Sequence, residues 1–153
     1  MADIEARLAE LGLTLPDVAK PAGTYVPALV SGSLVFTSGQ LPSTAGVLPA
    51  TGKVGAEVTA DDAKQYAAVC VLNGLAAAKG VIGSLERIVR VVKVVGFVAS
   101  DPSFTGQPGV INGASELLGS IFGSAGEHAR SAVGVAVLPL DSPVEVEFVF
   151  EIA

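Results

Sequence analysis

The sequence predicts an α+β domain, one sheet with two helices on a single face. Three observations carry this expectation. After a short extra helix, the apolar periodicity alternates in the order β-β-α-β-α-β-β. Two helices for about five strands cover only one face of a sheet. The run Ile88–Ala99 is apolar on both of its faces, so the second face needs cover as well, and another subunit is the natural candidate.

The elements follow in order. Ile4, Leu8 and Leu11 have the spacing of a short amphipathic helix that stops at Gly12, and a linker punctuated by Pro16, Pro21 and Pro27 comes next. Ala28–Val30 and Leu34–Ser38, joined by Ser31-Gly32-Ser33, read as a tight β-hairpin. Pro42, Gly46, Pro49 and Gly52 make Leu41–Gly55 a long ordered loop, and such loops in compact domains are often functional. Thr59–Asp62 resembles a capping box, with acidic residues at the positive end of a helix dipole. The helix it opens carries Ala63, Tyr66, Ala67, Cys70, Val71, Gly74, Leu75 and Ala78 at helical spacing and ends near Gly80.

A strand over Arg87–Val98 is expected to show Val89, Val91, Val95 and Phe97 on one face and Ile88, Val92, Val94 and Val98 on the other. Val110, Ala114, Leu117, Leu118 and Ile121 mark a second helix that stops at Gly123. Two last strands, Ser131–Leu138 and Val144–Ile152, are joined around Pro139 and Pro143. Counted as a hairpin, they set Arg130 opposite the end of the last strand rather than opposite Glu145. If those two residues share a site, the count favours a meeting across a subunit boundary.

Composition narrows the function. A chain of 153 residues is most simply one domain with a real core. Its residues are 50% apolar but only 5% aromatic, so that core is built of Val, Ile, Leu and Ala. Charged residues are 16%, against about 25% in ordinary domains. Mean hydropathy is +0.61, high for a monomer in water. No uncharged apolar run reaches the ~18 residues of a membrane span, because Arg90 and Lys93 interrupt the richest one. An oligomer that hides surface, with no membrane partner, is the expectation.

No basic segment precedes an apolar one at Met1, and the lone Cys70 sits among Ala67, Val71 and Leu75, so the cytoplasm is the expected compartment. A net charge of −6 argues against nucleic acid as a partner. One Cys and one His cannot make a metal cluster unless carboxylates supply the rest, and no phosphate-cradling glycine motif occurs, so no metal and no cofactor are expected.

Arg130, in "HARSAVGV", is the first candidate for chemistry. A guanidinium matches a carboxylate with two parallel hydrogen bonds, and Ala132, Gly134 and Ala136 beside it leave room for a ligand. An arginine snorkelling at a sheet edge, or pairing with a carboxylate, is the alternative, and spacing alone slightly favours it. Glu145, Glu147 and Glu151 share one face of the last strand. A solvated face is the favoured reading for Glu147 and Glu151; for Glu145, a general base acting on water is equally open. Tyr25 either closes a pocket or is a half-buried core tyrosine. Ser38 and Gly39, ahead of Gln40, end the second strand as a pocket wall or a turn would. Asn112 inside an amphipathic helix implies a hydrogen-bonding role. His128 has no partner in the sequence and reads as structural, and there is neither a nucleophile elbow nor a cysteine site.

"YVPALVSGSLVFTSGQLP", "VINGASELL" and "ARSAVGVAVLPLDSPVEVEFVFEI" together resemble the YjgF/RidA family, also labelled endoribonuclease L-PSP. The likeness runs from about Lys20 to Ile152, which leaves residues 1–19 as a helix-and-linker extension and 20–153 as the family domain. The resemblance implies the chorismate-mutase-like fold, a homotrimer whose sheets close a central barrel, and ligand clefts between subunits. It implies hydrolysis of enamines and imines such as 2-aminoacrylate to a 2-keto acid and ammonia. By position it makes Arg130 the carboxylate clamp, Glu145 the residue at the attacking water and Tyr25 the cleft closure, while Asn112 and Ser38 match further motif positions. Several departures reshape the cleft. The N-terminal helix, the 41–55 loop and extra residues between Phe104 and Asn112 mark a divergent branch. Ala132 stands where the best-known members have cysteine, and Gly134 replaces a commonly larger residue. They keep a second class open, a trimer that binds small carboxylates or regulates a partner without turnover. RNA cleavage ranks third.

Overall fold

A computed structural model describes residues Asp3–Ala153. The elements are α1 (Ile4–Glu10), β1 (Ala28–Ser31), β2 (Leu34–Thr37), α2 (Ala60–Ile82), β3 (Ile88–Ala99), α3 (Gln107–Phe122), β4 (Ala129–Val135) and β5 (Val144–Ile152), with single 3-10 turns before β3, after α3 and before β5. Five strands make one mixed sheet in the order β1-β2-β5-β3-β4. All neighbours are antiparallel except β3 and β4, which run parallel.

Local chemistry sets the helix ends. Thr59 Oγ1 accepts from the Asp62 amide at 3.1 Å, closing the first turn of α2, and Gly83 ends that helix at φ 82. Pro108 lies in the first turn of α3, where its missing N–H costs nothing, and Gly123 stops the helix at φ 61. α2 is long and apolar enough to cross a membrane by length and composition. Here Ala63, Ala67, Cys70, Val71 and Leu75 are buried in the core instead.

α2 and α3 pack on one sheet face, against Val91, Val94, Val98, Val144, Val146, Phe148 and Phe150. Every second residue of β5 is buried, as "VEVEFVFEI" implies. Small residues let the layers close. A Cβ on Gly74 would lie 2.5 Å from the Phe148 ring, and one on Gly113 would overlap the Lys64 carbonyl oxygen of α2. The other sheet face is uncovered in the single chain, leaving Phe36 and Val133 exposed among the carboxylates Glu145 and Glu147.

Two expectations are corrected. β4 and β5 are not a hairpin, because β3 lies between them. The chain leaves β3, crosses through α3 and returns parallel to β3 on its far side, as a strand–helix–strand unit must. Residues 136–143 then carry the chain across to β5, through a 3-10 turn in which Leu140 and Asp141 have φ of 59 and 58. Arg130 is therefore opposite Val94 of β3 and opposite no residue of β5. Second, β3 does not alternate strictly. Irregularities between Ile88 and Arg90 and between Val91 and Lys93 put Val91 on the buried face with Ile88, Val94 and Val98, and leave Val92 only partly buried.

The N-terminal segment is tied down. Ile4 and Leu8 are buried, and the Ile4 and Glu5 amides donate to Glu86 Oε1 at 2.6 and 3.3 Å. Met1 and Ala2 of the expected extension lie outside the described residues. The 41–55 loop is ordered as expected: Asn73 Nδ2 of α2 donates to the Leu41 and Ser43 carbonyls at 3.0 and 2.9 Å, and the Val54 amide donates to Ala99 O at 2.8 Å.

Candidate functional site

β4 is an edge strand whose residues 130, 132 and 134 face the helices, in register with Val94, Gly96 and Val98 of β3. Arg130 accordingly reaches α3. Its Nη1 donates to Asn112 Oδ1 at 2.8 Å and to Ser115 Oγ at 3.2 Å. Those two are three residues apart on one helix face and so present to the same point. Among the described residues no carboxylate pairs with Arg130, and its Nε and Nη2 donate to no protein acceptor. Among the described residues this half-buried cation thus lacks the carboxylate partner that one of the two alternatives to a ligand site required.

Ala132 packs partly against the core. A Cβ on Gly134 would lie 2.8 Å from Gln107 Nε2, the end of a side chain that donates to Phe104 O at 2.8 Å and to Ser100 Oγ at 3.2 Å and would have to shift. His128, just before β4, is engaged at both ring nitrogens, Nδ1 with Gly126 O at 2.6 Å and Nε2 with Ser115 Oγ at 2.9 Å. A carbonyl only accepts, so Nδ1 carries the proton. Ser115 was not visible as a site residue in the sequence, although its offset of three from Asn112 is a signal that it faces the same way.

A second group lies elsewhere. Glu145 is opposite Phe97 of β3 and points to the uncovered sheet face. Gly39 sits against its carboxylate so closely that a Cβ there would overlap Oε1. Burial, and then the negative charge of Glu147, raise the Glu145 pKa above its ordinary value. Ser38 fastens the approach to β1: its Oγ donates to Val26 O at 2.6 Å and its amide to Pro27 O at 2.8 Å. Tyr25 is 49% exposed, and its hydroxyl accepts from the Ala22 amide at 3.1 Å. Tyr25 and Gly39 line a groove of about 640 Å³ with Pro16, Leu41, Asn73 and Leu140.

The expected site residues thus divide. Arg130, Asn112 and Ala132 come together, joined by Ser115 and His128. Tyr25, Ser38, Gly39 and Glu145 cluster around the end of β2. Among the described residues no three His, Cys, Asp or Glu stand ready to hold a metal. Cys70 is buried, and loss of solvation, then the nearby Glu145 charge, push its thiol pKa far up.

This chain matches the family described as "YjgF/chorismate_mutase-like, putative endoribonuclease" over residues 5–152. Protein TCP17 of Trypanosoma cruzi is 43% identical over 150 residues, 97% of this chain and 94% of that one. Atu1372 of Agrobacterium tumefaciens, a protein of unknown function, has a crystal structure with a TM-score of 0.90 and 47% identity, covering 98% of this chain and 92% of that one. The crystal structure of Escherichia coli TdcF with bound serine gives a TM-score of 0.63 and 27% identity, covering 91% and 94% of the two chains. With its mixed sheet and helices on one face, the chain has the α+β fold of the YjgF/chorismate-mutase-like family, and it belongs to that family.

Proposed function

We propose that this protein hydrolyses reactive 2-imino acids and their enamines, working without a cofactor as a homotrimer whose sheets close a central barrel and whose ligands lie in clefts between subunits. The observation that carries the reading is Arg130. Its guanidinium is held by Nη1, has no acidic partner among the described residues and keeps Nε and Nη2 free. That arrangement suits a ligand carboxylate. Serine, bound to the relative TdcF, is a small carboxylate of the same class.

In this mechanism Arg130 anchors the carboxylate, and the fixed geometry brings the imine carbon to an oriented water. Water adds to that carbon, the nitrogen takes up protons, and the carbon–nitrogen bond of the resulting carbinolamine breaks. Ammonia leaves and a 2-keto acid remains. Glu145 orients or deprotonates the water, and its raised pKa suits proton exchange. Arg130 and Glu145 face opposite sides of one sheet, so in this reading one subunit supplies the arginine and a neighbour supplies Glu145 together with Gly39, Ser38 and the closing Tyr25. Asn112 steadies the arginine, and Ala132 leaves room beside it. The buried, lone Cys70 suits a reducing cytoplasm.

The test generates the imino acid in situ with an amino-acid oxidase and follows its disappearance. Acceleration by wild type and its loss in Arg130→Ala are the expected results; no acceleration, or full activity in the variant, defeats the reading. A second reading, a trimer that binds small carboxylates without turnover, is favoured by the lack of a free base beside Arg130: His128 has both ring nitrogens engaged. It predicts keto-acid binding that depends on Arg130 with no catalysis. RNA cleavage has less support, given a net charge of −6 and the same occupied histidine.

A further inference from the structure

The hydrogen bonds behind Arg130 say which edge of it a ligand meets. Nη1 carries two hydrogens and has two acceptors, Asn112 Oδ1 at 2.8 Å and Ser115 Oγ at 3.2 Å. An end-on fork, which takes one hydrogen from each terminal nitrogen, is therefore closed. The side-on fork, Nε with Nη2, is open.

Ser115 can serve as an acceptor here only if its own proton is directed elsewhere. A helical serine ordinarily turns its hydroxyl toward the carbonyl four residues back. His128 gives the proton another destination. Its Nδ1–H donates to Gly126 O at 2.6 Å, so in the neutral ring Nε2 is an acceptor, 2.9 Å from Ser115 Oγ. The serine hydroxyl then donates to the histidine and turns its lone pairs to Arg130.

We propose that Ser115 and His128 are positioning residues of the carboxylate clamp, a relay from Gly126 O to Arg130 Nη1 that presents only the Nε–Nη2 edge of the guanidinium to a ligand. The inference rests on the reading of Arg130 as a carboxylate site. It gives His128 a use that requires no proton transfer to a substrate.

The experiment compares binding of pyruvate with that of pyruvamide, its neutral counterpart, by calorimetry. Wild type is expected to prefer pyruvate. Ser115→Ala and His128→Leu are expected to weaken pyruvate about tenfold, the scale of one hydrogen bond to a charged group, and to weaken the neutral pyruvamide much less. His128→Gln keeps an acceptor near the ε position and is expected to recover most of the loss. Equal weakening of both ligands, or wild-type pyruvate affinity in Ser115→Ala while Arg130→Ala loses it, overturns the relay alone. No preference for pyruvate in wild type, or undiminished binding in Arg130→Ala, overturns the clamp itself. A measurement on unaltered protein guards against variants that fail to fold. The Arg130 Nε–H resonance should shift on adding pyruvate, and an unmoved resonance in a protein that binds pyruvate rules out the side-on edge.

Discussion

Arg130 and Glu145 stand on opposite faces of the same sheet. Arg130 is in register with Val94, whose partner on β5 is the buried Phe148, whereas Glu145 is in register with Phe97 on the uncovered face. One chain therefore cannot bring both to one small ligand, and a site that uses both needs two copies. Arg130→Ala and Glu145→Gln chains, each inactive alone, should regain activity when unfolded together and refolded as mixed oligomers. Mixed oligomers as inactive as either parent would count against a shared site.

Gly113 should tolerate no side chain. A Cβ there would overlap the Lys64 carbonyl oxygen, and backbone cannot step aside as a flexible side chain can. Gly113→Ala forces α3 away from α2 and should cost at least the 1–3 kcal/mol, roughly, of an overpacked core. Gly109→Ala, in the same helix with open space at its Cβ, should be neutral or slightly stabilising. Equal melting temperatures for the two variants would contradict the packing argument.

Glu145 should make stability fall as pH rises. Its folded pKa lies above the ordinary value of 4.5, so the native state favours the protonated carboxyl. That contribution is complete below the ordinary value and is lost as pH climbs through the raised one. Glu145→Gln removes the ionisation. Its melting temperature should exceed that of wild type at neutral pH, and the gap should close as the solution is acidified toward 4.5. A gap that widens on acidification would show the sign to be wrong.

Cys70 should be inert in the native protein. Its thiol is fully buried in α2 and its pKa is pushed far up by lost solvation, then by Glu145. A thiol reagent such as Ellman's should react with one group per chain in denaturant and with almost none before unfolding. Rapid native reaction would mean that α2 opens locally far more easily than its burial implies.

Much of the fold was legible in the sequence because the signals are local. "VEVEFVFEI" alternates with the period of a strand, and β5 buries every second residue as written. Gly123 ends α3 because a left-handed φ suits glycine, and the hydroxyl of Thr59 opens α2 whatever packs on it later. The sequence likewise put Asn112 inside α3 and Glu145 on the side of β5 away from its apolar residues.

What lay beyond the sequence is everything that depends on which strand chooses which partner. The last two strands are consecutive and well separated from other elements, and nothing in their residues says that β3 will slip between them. That choice belongs to the crossover through α3, a contact between segments far apart in the chain. It alone turns Arg130 toward Asn112 and Ser115, gives His128 a partner and sends Glu145 to the other face. Periodicity tells each residue inside from outside along its own strand; only packing between distant segments decides which inside it shares.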